Sequence, residues 1–191
     1  MLLTNQLLQH ALKEWAIAVE ALSKGETIVL LRKGGIREAG FSVKHSPIWL
    51  YPTYEHQKPE LLKPSYESQV VPVPSGWHPE SVTIQSCAEI TDVLSLDDSS
   101  QVKALQPYHV WHELMISDRL KWQPKRPLFV LLLRVYRCAT PQTIPFEQAY
   151  GGCKSWINLR KPIATDNLQP VLSAAEYQQL VGEIKTVSQN S

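Results

Sequence analysis

Where Ile48-Trp49-Leu50-Tyr51 runs into Pro52, four polar side chains capable of chemistry follow almost at once: Tyr54, Glu55, His56 and Gln57. Proline ends a hydrogen-bonded strand, so this quartet emerges at a strand end, where functional groups are usually carried. A glutamate beside a histidine can set the tautomer of the imidazole and raise its basicity, which makes Glu55 and His56 candidates for a general base. Neighbouring residues of an extended chain point opposite ways, so Tyr54 and His56, two apart, are the pair expected to share a face. The plain alternative is that these groups pack over the following loop and bond its backbone.

A second constellation is Tyr150-Gly151-Gly152-Cys153-Lys154-Ser155-Trp156. Two glycines ahead of a thiol, an ammonium and a hydroxyl predict a tight turn whose amides can cradle an anion. Lys154 beside Cys153 is a condition for a reactive thiol, so Cys153 joins the catalytic candidates. Neither the G-x-x-x-x-G-K-[ST] nor the G-x-G-x-x-G phosphate pattern occurs. His109 and His112, in Tyr108-His109-Val110-Trp111-His112-Glu113, would share one face of a helix. They are weak metal candidates, since no third ligand has a diagnostic spacing. The stretch 119–146 holds six basic residues and no acid, with Trp122 and Tyr136 interleaved. Such a mixture can meet phosphates and stack on bases, or simply form a solvated, ion-paired surface. Within it Arg134 leaves the most apolar segment of the chain and must find a partner or water. Arg32, ahead of Lys33-Gly34-Gly35, is a further cation at a turn.

The elements that must position these groups are those of one α+β domain spanning 1–191, with a core over about 5–160 and a final helix over about 173–188. The 191 residues are 43% hydrophobic and 19% charged, with net charge +1, so no global field draws in nucleic acid and any such binding needs a local patch. Three cysteines without a CxxC pair argue for a reducing compartment. No basic-then-apolar leader or membrane-length apolar run appears, which predicts a cytoplasmic protein. Leu8, Leu12, Trp15, Val19 and Leu22 recur at helical steps and predict a helix over 5–23. A strand over 27–33 is expected to turn at Gly34-Gly35 and return to about Val43, with IWLYPT the next strand. Five prolines confine 58–77 to a short helix and loops. Strands are expected over 82–96 and 128–138, helical turns at 100–105 and 113–120. Ser173, Glu176, Leu172 and Tyr177 form a capping box with its apolar staple.

Taken in order, ALKEWAIAVEALSKGETIVLLRKGGI, WLYPTYEHQ, AEITDV, HVW, KRPLFVLLLRVYRC and YGGCKSWINL resemble an uncharacterised bacterial family, domain of unknown function 1802, from Ala11 to about Leu159. The terminal helix lies outside that resemblance. It implies no established activity. Relatives beside restriction-type nuclease domains imply a nucleic-acid defence or processing context, with such a nuclease as a partner. His112 stands where the family pattern has a small hydroxyl residue, which weakens the metal pair. The order of elements is more distantly similar to the PUA-like small barrels of the ASCH and EVE groups, which bind RNA or modified bases in a cleft. That similarity implies a small mixed, barrel-like sheet flanked by N- and C-terminal helices. The ligand-binding residues would be Arg32, Tyr54, His56, Arg134, Lys154 and Trp156. The expected function is therefore a nucleic-acid or nucleobase-binding module without a cofactor. Its rivals are a hydrolase or nuclease-associated enzyme based on Glu55 and His56, and a non-catalytic structural or interaction protein.

Overall fold

A computed structural model of the chain describes residues 6–33 and 42–189. The first segment is not one helix. Leu7–Trp15 is a strand, β1, and only Ala16–Lys24 is helical, α1. Residues 7–15 are mostly good helix formers, but a β1 strand finds ladder partners on both sides, and tertiary pairing outweighs that weak local preference. Helix α1 ends at Gly25, whose φ of 76° is the left-handed cap that glycine adopts without strain.

Strand β2 is Val29–Arg32 and β3 is Ile48–Thr53, as the apolar runs predicted. The expected hairpin at Gly34-Gly35 lies outside the described residues. Residues 42 and 43 are not in a strand, and the described partner of β2 is a distant strand instead. The proline-rich stretch holds a short 3-10 turn, Pro59–Leu61, and one helical turn, α2, Pro64–Glu67. Then follow β4 (Ser81–Leu96), α3 (Ser99–Ala104), α4 (Glu113–Lys121) and β5 (Leu128–Pro145). Strands β6 (Trp156–Ala164) and β7 (Leu168–Pro170), where the sequence predicts no element, precede α5 (Ala174–Gln189). The capping box of α5 forms as expected: Ser173 N–H donates to Glu176 Oε2 (2.8 Å), and Glu176 N–H donates to Ser173 Oγ (3.2 Å).

The protein is an α+β fold on one seven-stranded mixed sheet, in the order β2-β5-β4-β3-β1-β6 with β7 also on β5. Among the described strands, only β1 and β3 run parallel. The sheet is covered on both faces: Leu12, Leu50 and Ala88 enter a large core with α1 and α5, while their neighbours Ala11, Trp49 and Cys87 enter a second cluster with Tyr136 and Tyr150. Its two ends, β2 and β6, are not bonded to each other, so the sheet stays open. It nevertheless curls. Arg32 of β2 reaches β1, at the far side of the order, donating to the Lys13 carbonyl (2.6 Å) and pairing with Glu14 (3.1 Å).

Candidate functional site

The parallel pairing of β1 with β3 brings their C-terminal ends to the same rim of the sheet, with Lys13 beside Tyr51, Glu14 beside Pro52 and Trp15 beside Thr53. Above that rim opens a cleft of about 640 Å³, within the range of small-ligand sites. The β3 exit, the loop before β4, the end of α4 and the glycine turn before β6 all contribute to it.

Glu55 and His56 meet here, against the expectation that neighbours diverge. His56 takes a φ of 64°, so the chain turns rather than continues, and His56 Nε2 lies 3.1 Å from Glu55 Oε1. The same Glu55 oxygen accepts the Gly76 amide (2.5 Å) and the Ser75 hydroxyl (3.4 Å). The Gly76 amide is the main cause that holds the Glu55 carboxyl below the usual glutamate value. This clamp ties the 75–76 turn to the strand end and sets Trp77 edge-on to Tyr54, with ring centres 6.1 Å apart. Burial pushes the Tyr54 phenol upward, so it stays protonated. Beside them His78 stacks on Phe146 at 3.6 Å. Gln57 faces the other way: its buried Oε1 accepts the Ile17 amide (3.1 Å) in the first turn of α1. The quartet thus divides, three residues lining the cleft and one capping a helix.

The glycine turn is partly closed on itself. Gly152 takes the positive φ of 75°, but the amides of Gly151 and Lys154 bond within the turn. Its carbonyls are what face outward: Lys13 Nζ donates to Tyr150 O (2.6 Å) and Gly152 O (2.8 Å), and Lys154 Nζ to Ala149 O (3.3 Å). Lys13 is half-buried, and burial, with Lys154 as a smaller cause, lowers its pKa against the opposing pull of Cys153 and Glu55. Cys153 is exposed on the cleft wall.

The floor is charged. Arg32 is 9% exposed and Glu14 6%, and Glu14 also takes the Trp15 amide (2.7 Å). Arg119 lines the same cleft from the end of α4, which is anchored because buried Lys33 donates to the Arg119 and Leu120 carbonyls. Burial and then the charge of Arg32 lower the Arg119 pKa, while Glu14 opposes that shift. Arg32 Nε and the Tyr51 hydroxyl, both buried, have no hydrogen-bond partner among the described residues.

The fold therefore gathers Arg32, Tyr54, Glu55, His56, Cys153 and Lys154 around one cleft. Trp156 lies just beyond it, its ring 6.1 Å from His45, while Ser155 is on the wall. Arg134 is elsewhere: its guanidinium lies 4.9 Å from the Tyr177 ring centre and donates to the Ser173 carbonyl (3.0 Å). The helix expected to align His109 and His112 is absent, since α4 starts only at Glu113. Instead His109 Nδ1 accepts the Trp111 amide and His112 Nδ1 the Leu114 amide, each at 3.2 Å. No group of three or more metal-ligating side chains occurs among the described residues.

Sequence reading missed Lys13, Glu14, Tyr51, Trp77 and Arg119. Lys13 and Glu14 sit in what reads as a helix. Arg119 was one of six scattered cations, with nothing to separate it from Lys125 or Arg126.

The sequence profile of a family described as Domain of unknown function (DUF1802) matches residues 11–183, further than the resemblance had reached and into α5. No curated protein matches the chain. Among solved structures, the ASCH protein of Zymomonas mobilis is similar over 91% of this chain and 93% of its own, at 17% identity and a TM-score of 0.47. A tyrosine-to-phenylalanine mutant of that Zymomonas mobilis protein is similar at 14% identity and a TM-score of 0.43, covering 91% of this chain and 96% of its own.

Proposed function

The chain belongs to the DUF1802 family, and we propose that it is a nucleic-acid-binding module that seats a nucleobase in this cleft. The observation that carries the reading is the aromatic lining, Tyr54 with Trp77 and His78 with Phe146, set in one cleft with four cations against two carboxylates. Base-on-aromatic stacking contributes roughly 1–3 kcal/mol per base, and a surplus of cations favours the phosphates on either side. Trp77, 42% exposed, is free to change its packing when a base arrives. Titration of a short single-stranded RNA while following tryptophan fluorescence tests this. We expect saturable quenching that weakens with salt, and about tenfold weaker binding in Trp77→Ala at an unchanged melting temperature. Silence towards nucleosides and oligonucleotides alike up to millimolar concentration would remove the proposal.

The Glu55–His56 contact supports a second reading, in which the carboxylate orients His56 as a general base for hydrolysis at the cleft lip. There His56→Ala abolishes turnover and leaves melting unchanged, whereas a purely structural role lowers melting. A restriction-type nuclease as partner finds no support in the fold. No described helix is long and apolar enough to cross a membrane.

A further inference from the structure

The cleft has a gradient that the base-binding reading alone does not use. Its aromatic lip is exposed, while its floor holds Arg32, Arg119, Glu14 and Tyr51. Two guanidiniums and one carboxylate line it there, and the carboxylate, Glu14, is already bonded to Arg32 and to the Trp15 amide, leaving Arg119 without an ion pair to it. The floor is therefore left with one positive charge more than it can pair internally. Two buried donors on residues that line the cleft, Arg32 Nε and the Tyr51 hydroxyl, have no hydrogen-bond partner among the described residues. Buried donors and charges without partners are costly, and a group that meets them in a native fold is worth looking for. A neutral ring edge would leave the surplus charge unmet. A tetrahedral anion with several acceptor oxygens meets both needs, and guanidinium forks match phosphate geometry.

We infer that the floor is a phosphate site, and that the ligand enters phosphate first, its phosphate monoester held by Arg32, Arg119 and Tyr51 and its base left at the Tyr54–Trp77 lip. This rests on the reading of the cleft as a nucleotide site and narrows it to terminal phosphates, since Arg32 and Tyr51 are almost wholly buried and an internal phosphodiester would have to carry a second nucleotide past them. Free nucleotides and the 5′-phosphorylated end of an RNA share this chemistry.

The test compares adenosine, adenosine 5′-monophosphate, and a tetranucleotide with and without its 5′-phosphate, by calorimetry on the full chain. The monophosphate is expected to bind about tenfold or more tightly than adenosine, the difference a charge-assisted contact makes. Inorganic phosphate should displace the monophosphate and leave adenosine in place. Arg119→Gln should erase the preference while keeping adenosine binding, and its fold should survive because the anchoring contact at that position is the backbone carbonyl. Tyr51→Phe, which deletes only the hydroxyl, should reduce the preference in part. A phosphorylated tetranucleotide that outcompetes the mononucleotide identifies an RNA end as the source; the reverse order identifies a free nucleotide. Equal affinity for adenosine and its monophosphate overturns the phosphate floor and leaves the base reading standing. If no nucleoside binds, yet phosphate raises the melting temperature of the native chain and not of Arg119→Gln at matched ionic strength, the floor stands and the base reading falls. If phosphate also has no effect, both fall.

Discussion

His109 is 2% exposed, and its Nδ1 is committed to the Trp111 amide while its Nε2 has no partner among the described residues. Burial, helped by the charge of Lys63, brings its pKa down from 6.5 to about 4. The unfolded chain takes up this proton as pH falls below 6.5, and the folded protein resists until about 4. Stability is thus full above the higher value and declines through that window, by at most about 3 kcal/mol. Urea unfolding at several pH values should show the decline, and His109→Asn, which keeps an acceptor for the amide, should flatten it. Glu55 follows the carboxylate pattern: its folded pKa lies below 4.5, so its hold on Gly76 is fully present above that pH and is lost as pH falls through the lower value. Trp77 fluorescence of the native chain is expected to show an acid transition below pH 4.5, and Glu55→Gln should remove it. The sequence marked these positions by residue type alone. It could not say that one histidine caps backbone in the core while the other turns to meet its own neighbour, because both outcomes depend on φ values and burial set elsewhere.

Among the elements, the end of α1 meets the segment that leads from β7 into α5 at a tight point. A Cβ at Gly25 would lie 2.9 Å from Leu172 Cδ2 and 3.1 Å from Val171 Cγ1, on a residue with a φ of 76°. Gly25→Ala combines an unfavourable left-handed conformation with this crowding and should cost about 1–2 kcal/mol, read from chemical denaturation. Most elements were readable from pattern: β3, β4, α4, α5 and its capping box occur where the apolar runs and caps predicted. Residues 7–15 were not, because their apolar spacing suits a helix and only the flanking strands β3 and β6 make an extended chain the better solution. Strand β6 escaped for a related reason. Its outer half, from Arg160 on, is largely solvent-exposed and gives little apolar signal, and the register with β1 supplies what the composition does not.

At the scale of the molecule, α5 completes the larger core by burying Tyr177, Val181 and Ile184. It is further held by Lys185 on Asp92 and by the Tyr177 hydroxyl against Thr91 (2.6 Å). A chain ending before residue 173 loses three large buried side chains, at roughly 1.5–3 kcal/mol each, and is expected to lose cooperative unfolding by calorimetry. A truncated protein that melts sharply near the native temperature would show α5 to be an appendage.

The amino-acid sequence alone determined the α+β class, the strand that delivers Tyr54, Glu55 and His56, the glycine turn and the family resemblance. These are local: they follow from periodicity, proline, glycine and short motifs. The cleft was decided only in three dimensions. Parallel pairing of β1 with β3, the curl that lets Arg32 reach Glu14, and the anchoring of α4 by Lys33 bring together residues more than a hundred positions apart. No local pattern records that convergence. It arises from the curl of a single open sheet that carries an apolar core on each face, with Arg134 held away from the cleft against Tyr177.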